Sequence, residues 1–251
     1  MVQEAAFRAA FANFEGKVRS GQGGAPFTSF REGLPRQWEA YKTIVRHNAI
    51  TRLEATAWNA EQIGTGEILS RVIHAIEIKD KEAPNNLVRW VNKWGHANRS
   101  HRALLDAVGA PTRTEGLERA LFSLYATNAD HGEVFESLKE ISGRRYDLLA
   151  YLFFLRDADR FMPLATRTFD RAFELLDIDL VTTRRCSWAN YQEYIGALQD
   201  VRDALCSLAG ISDARLIDAH SFCWMLVQVG DAGEPPCGQE RKRKTLEDRS
   251  R

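Results

Sequence analysis

The stretch LLAYLFFLRDADRFMPL, residues 148–164, changes character halfway along. Leu148 to Leu155 is an unbroken apolar run, the pattern of a segment buried on every side. Arg156, Asp157, Asp159 and Arg160 then place four charges within five residues, followed by Phe161 and a stop at Pro163. The spacing predicts a helix over 144–156, so both acids fall at or just past its C-terminus. Exposed carbonyls make that end partly negative, and an acid there is disfavoured by a few tenths to about 1 kcal/mol. Residues placed against local preference often mark function. The architectural alternative is that Arg156, Arg160 and Arg171 pair with the acids and merely pin the corner.

Outward from this run, nearly every periodic segment has helical spacing. GEILSRVIHAIEIK (66–79) puts Ile68, Leu69, Val72, Ile73 and Ile76 on one stripe. Residues 187–210 read as a long amphipathic helix, with Ser187 as N-cap and Gly210 just past its end. Residues 212–230 repeat that grammar between Ser212 and Gly230. Further helices are predicted over 3–17, 35–48, 50–60, 85–93, 97–108, 114–126, 131–140 and 167–177. No Asn-Gly or Asp-Gly separates alternating apolar runs, so no hairpin is signalled. The expectation is an all-α, multi-helix globular fold. It comprises an N-terminal helix within 1–20, a helical lobe over 30–110, a second lobe over 111–230 that carries the candidate site, and a disordered tail over 231–251. GQGGAPFTS (21–29) and GAPTRTEG (109–116) mark the seams by their Gly/Pro punctuation, and the tail lacks apolar periodicity.

The chain of 251 residues is 44% apolar and 27% charged, ordinary for a globular protein with a real core. Its 34 basic and 34 acidic residues cancel, so any nucleic-acid binding must rest on local patches rather than a global field. No apolar run approaches the roughly 20 residues that cross a bilayer. The start, MVQEAAFRAAFANF, lacks the charged n-region and cleavage site of a signal peptide. Cys186, Cys206, Cys223 and Cys237 lie far apart without a C-x-x-C pair, which suggests neither a zinc site nor a disulfide framework. Reduced thiols in a cytoplasm, with no metal and no cofactor, are the expectation.

RWVNKWGHANRSHR (89–102) gathers Arg89, Lys93, Arg99 and Arg102 with His96 and His101, contains no acid, and sets Trp90 and Trp94 one turn apart. Basic side chains interleaved with aromatics suit a surface that tracks phosphates and stacks bases. Alternatively, the tryptophans anchor the core and the charges form a solvated face. His96 and His101 are poorly spaced for a metal on one helix face. In TRTFDRAFELL (166–176), Thr166 or Thr168 caps a helix whose start, flanked by Arg160, Arg167 and Arg171, suits a phosphate. Ser187, Trp188, Asn190 and Tyr191 open the long helix and can line a pocket, although capping by Ser187 explains them almost as well. DAHSFCW (218–224) puts Asp218 two residues before His220, a spacing that does not make the two face each other. His220 is read first as a core histidine and second as a pocket residue. EIK (77–79) matches the E-x-K fragment of metal-dependent nucleases, but that fragment needs a strand where the spacing is helical.

FLRDADRFMPL, TFDRAFELL, CSWANYQEY and DAHSFCW, with APNNLVRW and IGTGEI in the N-terminal half, together resemble a widespread, thinly characterised prokaryotic family of restriction and anti-phage settings, sometimes found beside HNH-type nuclease modules. The resemblance covers roughly residues 30–227. Within this territory the chain also looks like the small anti-phage DNA glycosylases that excise modified cytosines from viral DNA. That resemblance implies a monofunctional glycosylase that flips a modified base out of double-stranded phage DNA and leaves an abasic site, without metal or cofactor and with a nuclease as possible partner. On this reading Asp157 or Asp159 supplies the catalytic carboxylate. Arg156, Arg160 and Arg167, together with Arg89, Lys93, Arg99 and Arg102, contact DNA, while Trp188, Tyr191 and His220 form the base pocket. Two other readings remain: a non-catalytic reader of modified DNA that works with a nuclease, and a helical interaction protein whose Asp/Arg cluster is structural.

Overall fold

The computed structural model describes residues 2–80, 83–90 and 99–230. Among them are eleven α-helices and no strand, the all-α class that the periodicity predicts. The first six are α1 (Glu4–Gly21), α2 (Gly33–Glu39), α3 (Tyr41–Leu53), α4 (Glu67–Ile76), α5 (Arg102–Ala107) and α6 (Pro111–Ala126). They are followed by α7 (His131–Ser142), α8 (Tyr146–Arg156), α9 (Thr166–Leu175), α10 (Trp188–Ser207) and α11 (Leu216–Gln228). The tail expected over 231–251 lies outside the described residues.

Several helices differ from expectation in their bounds, and α5 starts at Arg102 where a helix over 97–108 is expected. The break expected at 49 falls instead at Ala40, and Ala49 is a fully buried residue inside α3. The helix expected over 50–60 ends at Leu53, where Glu54 turns to a positive φ of 48°. The helix expected over 85–93 is absent from its described part, 85–90. Buried Asn85 competes there for the backbone: its Nδ2 donates to Ile76 O at 2.9 Å and its Oδ1 accepts from Leu87 N at 3.0 Å.

The chain divides into two compact units that do not follow the lobes expected at 30–110 and 111–230. The first comprises Met1–Ala40, Arg167–Leu180 and Ala197–Arg251; the second comprises Tyr41–Thr166 and Val181–Gly196. The expected seam at 109–116 falls inside the second unit, because Pro111 opens α6 there rather than a linker.

In the described part of the first unit, α1 packs on α11. Phe14 meets Phe222 edge-on at 5.2 Å between centroids and Phe27 at 5.0 Å, which gives this unit an aromatic core. Lys17 Nζ donates to Leu226 O at 2.9 Å.

The second unit is built around α8, which packs against α3, α6 and α7 and buries nine of its eleven residues. Its all-round apolar sequence leaves it no solvated face. Buried tyrosines in this unit spend their hydroxyls on backbone: Tyr125 donates to Leu152 O at 2.9 Å, Tyr191 to Met162 O at 2.8 Å and Tyr194 to Pro163 O at 2.7 Å. Each thereby satisfies a buried hydroxyl that would otherwise cost about 1–3 kcal/mol.

The start of α4 depends on a residue from another helix. Its N-cap, Gly66, offers no side-chain cap. Instead, the fully buried Glu118 of α6 accepts from Gly64 N at 2.7 Å, Gly66 N at 3.2 Å and Leu69 N at 2.9 Å. A carboxylate on these donors satisfies the orphan N–H groups and opposes the helix dipole. We expect Glu118→Ala to lower unfolding stability by about 3 kcal/mol or more, since several buried donors lose their acceptor at once. Chemical denaturation would show this, and a change under about 0.5 kcal/mol, the size of an ordinary surface substitution, would rule the role out.

Candidate functional site

The C-terminus of α8 shows what balances its acids. Asp157 caps the helix in extended backbone, and its N–H donates to Phe153 O at 3.1 Å. Its Oδ1 accepts from Asp159 N at 3.0 Å, and its carbonyl accepts from Phe161 N at 3.0 Å, which folds 157–161 into a tight turn. Arg46 of α3 reaches this end from 108 positions earlier in the chain. Its Nε donates to Phe154 O at 3.0 Å and its Nη2 to Leu155 O at 3.3 Å. Burial pulls the Arg46 guanidinium below its ordinary pKa, and attraction from Asp157 and Asp159 opposes that pull. Arg46 is therefore the cation that offsets both the helix end and the acids. Arg171 pairs with Glu174 at 2.5 Å instead, and Arg156 and Arg160 are exposed.

His131 stands on the same corner. It is the first residue of α7, whose N-cap Asp130 accepts from Glu133 N at 3.0 Å. Its ring meets Phe161 edge-on at 5.3 Å, Phe153 at 5.9 Å and Trp188 at 6.4 Å. Burial lowers the pKa of His131, the positive charges of Arg160 and Arg156 add to the effect, and Asp130 and Asp157 resist it. The imidazole is thus neutral at pH 7. Asp157 is partly buried, whereas Asp159 is exposed and its carboxylate has no hydrogen bond or ion pair among the described residues. Of the two acids, Asp157 is the one whose charge acts on His131.

Trp188 completes the corner. Its N–H donates to Glu136 Oε1 at 2.7 Å, while Ser187 Oγ accepts from Asn190 N at 3.2 Å, the capping role read from the sequence. The partly exposed indole lies over Gly132, where an added Cβ would sit 2.8 Å from Cδ1. Only glycine permits that approach.

Two expected pocket residues have other duties. Tyr191 is fully buried, stacks on Phe161 at 6.1 Å and spends its hydroxyl on Met162, so it offers no face to an extruded base. His220 is a buried core residue of the first unit, 4.7 Å from Phe169. Arg167 is exposed on α9, also in the first unit. The second unit thus gathers Asp157, Arg156, Arg160 and Trp188 from the expected set, and adds Arg46 and His131, which sequence reasoning missed.

In the basic stretch, Lys93, Trp94 and His96 lie outside the described residues. Trp90 is a core anchor, buried with Nε1 donating to Asn85 O at 2.9 Å. Arg102 is exposed but pairs with Asp106 at 2.8 Å; Arg89 is exposed and Arg99 partly so. His101 is buried against Glu77. Burial pushes the Cys186 thiol up to about 12, which removes it as a nucleophile at neutral pH. Among the described residues no three His, Cys, Asp or Glu side chains gather as a metal-ion set, and no helix is long and apolar enough to cross a membrane.

Burial holds both His131 and His101 below the ordinary histidine pKa. Such groups stabilise the fold fully above about pH 6.5, the unfolded value, and that stability is lost as pH falls through their lowered folded values. Denaturant midpoints should therefore drop between about pH 7.5 and about pH 5, and His131→Gln should flatten part of the drop. A parental profile that is level across this window would contradict the assignment. Gly132→Ala should displace Trp188 and change the near-ultraviolet circular dichroism; an unchanged spectrum would show that the indole does not rest there. No protein family, curated protein or solved structure matches this chain, and the corner of Asp157, His131, Arg46 and Trp188 stands on its own chemistry.

Proposed function

We propose that the chain is a monofunctional DNA glycosylase that removes a modified base, a modified cytosine by the resemblance noted above, from double-stranded phage DNA in the cytoplasm. The observation that carries this reading is one corner of the second unit. There a partly buried carboxylate, Asp157, lies within electrostatic reach of neutral His131, beside exposed Arg156 and Arg160 and a partly exposed indole, Trp188.

A glycosylase must extrude its nucleotide, which costs a few kcal/mol of unstacking. Trp188 offers the aromatic face that receives the base, and Arg156 and Arg160 hold the flanking phosphates. Cleavage of the N-glycosidic bond sends its electron pair to the base and leaves oxocarbenium character on the sugar. The Asp157 carboxylate stabilises that charge and accepts the proton of the water that attacks C1′, as carboxylates do in glycoside hydrolysis. His131, neutral and edge-bound, donates a hydrogen bond to the departing base. Arg46 fixes the turn that presents Asp157.

The test is incubation with modified and unmodified phage DNA, followed by alkali. Strand breaks confined to the modified DNA are expected. Asp157→Asn keeps the oxygen that holds Asp159 N but removes the charge. Its activity should fall by about 10²–10³, as when a preorganised transition-state contact is removed, while the melting curve stays close to the parent. Asp159→Asn should retain activity. A gel shift without breaks would instead assign the chain to modified-DNA reading, and full activity in Asp157→Asn would remove the catalytic role of this carboxylate.

A further inference from the structure

A pocket of 540 Å³ in the second unit is lined by Arg52, His74, Glu77, Lys79 and Asp80. Its volume lies within the range of small-ligand sites, about 300–1,000 Å³. Among the described residues, every side chain that lines it carries a titratable group, so it favours a polar or charged ligand over an apolar one.

The backbone explains how these groups converge. The helical spacing of 66–79 holds through Ile76, where α4 ends with Glu77 as its C-cap at φ −83° and ψ 53°. Beyond it the chain is not helical, and Ile78 is fully buried while its neighbours Glu77 and Lys79 line the pocket. Alternation of that kind is the habit of extended chain. The E-x-K fragment therefore does present both charged side chains to one cavity, alongside Arg52 from the last turn of α3 and His74 from α4.

The acids in this pocket are already engaged by the protein, and the cations are not. His101 Nε2 meets Glu77 Oε1 at 2.9 Å, and Asn48 Nδ2 donates to Asp80 Oδ2 at 3.4 Å. The His101 side chain is fully buried and its Nδ1 has no partner. An orphan acceptor costs less than an orphan N–H, so Nε2 carries the proton and donates to Glu77. By contrast, no hydrogen bond or ion pair engages Arg52, Lys79 or the His74 ring among the described residues. The unused capacity of the pocket is a set of nitrogen donors on Arg52, Lys79 and His74. Two rival sites lack such capacity. Glu77 and Asp80 gather no third metal donor among the described residues, and the Gly64–Gly66 turn has its backbone donors filled by Glu118.

We propose that this pocket binds a phosphoryl group. Arg52 takes its oxygens through the guanidinium fork and Lys79 as a point charge. The remaining volume receives the molecule that carries the phosphate, and Glu77 Oε2 is left to accept from its hydroxyl or amine groups. The phosphate comes either from a free phosphate ester or from the backbone of a strand, and this site does not depend on the glycosylase reading.

Calorimetric titration of the full chain with adenosine 5′-monophosphate, adenosine, and a short DNA strand synthesised without terminal phosphates tests the proposal. Adenosine 5′-monophosphate or the strand should bind, and adenosine should bind at least about tenfold more weakly, the discrimination of one good charged contact. The double variant Arg52→Gln, Lys79→Gln changes two exposed side chains, so its fold can be verified by circular dichroism, and it should lose about tenfold or more in affinity. Loss with the mononucleotide alone identifies a free phosphate ester; loss with the strand identifies a backbone phosphate. Absence of binding by both, or binding that the double variant leaves unchanged, overturns the proposal.

Discussion

A single guanidinium closes the end of a helix that has no exposed face. Because α8 buries its whole circumference, its last carbonyls cannot turn to water as those of a surface helix do. Arg46 reaches in from α3 to donate to two of them, and its charge sits against the negative pole of the helix. The same charge lets the chain tolerate Asp157 and Asp159 immediately beyond. Without Arg46, the corner would combine orphan carbonyls with acids at the least favourable place for them. With it, a carboxylate is held in electrostatic reach of His131. The fold and the candidate chemistry thus rest on one side chain.

The second unit repeats this device. Glu118 lends its carboxylate to the start of α4, and Glu136 lends one to Trp188 N at the start of α10. Tyrosine hydroxyls likewise reach across elements to backbone carbonyls, within α8 and in the loop after it. Helix ends here are completed by side chains from other helices more than by local caps. Such ends cannot form until their neighbours are in place, so the capping itself is cooperative with packing. Asp130, Ser187 and Thr65, whose Oγ1 accepts from Glu67 N, are local exceptions, and the first two stand beside the candidate site.

This explains what could be read in the sequence. The all-round burial of 148–155, the N-cap at Ser187 and the grouping of Asp157 with Arg156 and Arg160 all depend on neighbours close in the chain. Arg46, His131 and Glu118 act across long separations, and nothing in their immediate surroundings distinguishes them from solvated charges. Tyr191 was legible as an aromatic near a helix start but not as a core residue, because its burial comes from Phe135 and Phe161 on other elements. The two units were illegible as lobes for a similar reason: each is assembled from discontinuous segments, and a Gly/Pro seam marks a turn without saying which side of it packs with what. Asn85 defeated the helix expected around it by an equally local-looking but unsignalled hydrogen-bonding choice.

The pairing of α1 with α11 sets an order of events during synthesis. Phe7 and Phe14 are synthesised well before a ring they pack against, Phe222, which arrives only with α11. Until then the phenylalanine face of α1 has no complete partner and is a sticky amphipathic helix on a growing chain. A ribosome that stalls before α11 would therefore release a product in which α2 to α10 are already made but α1 is bare. Translation that fails between α10 and α11 is the hazardous case for this fold.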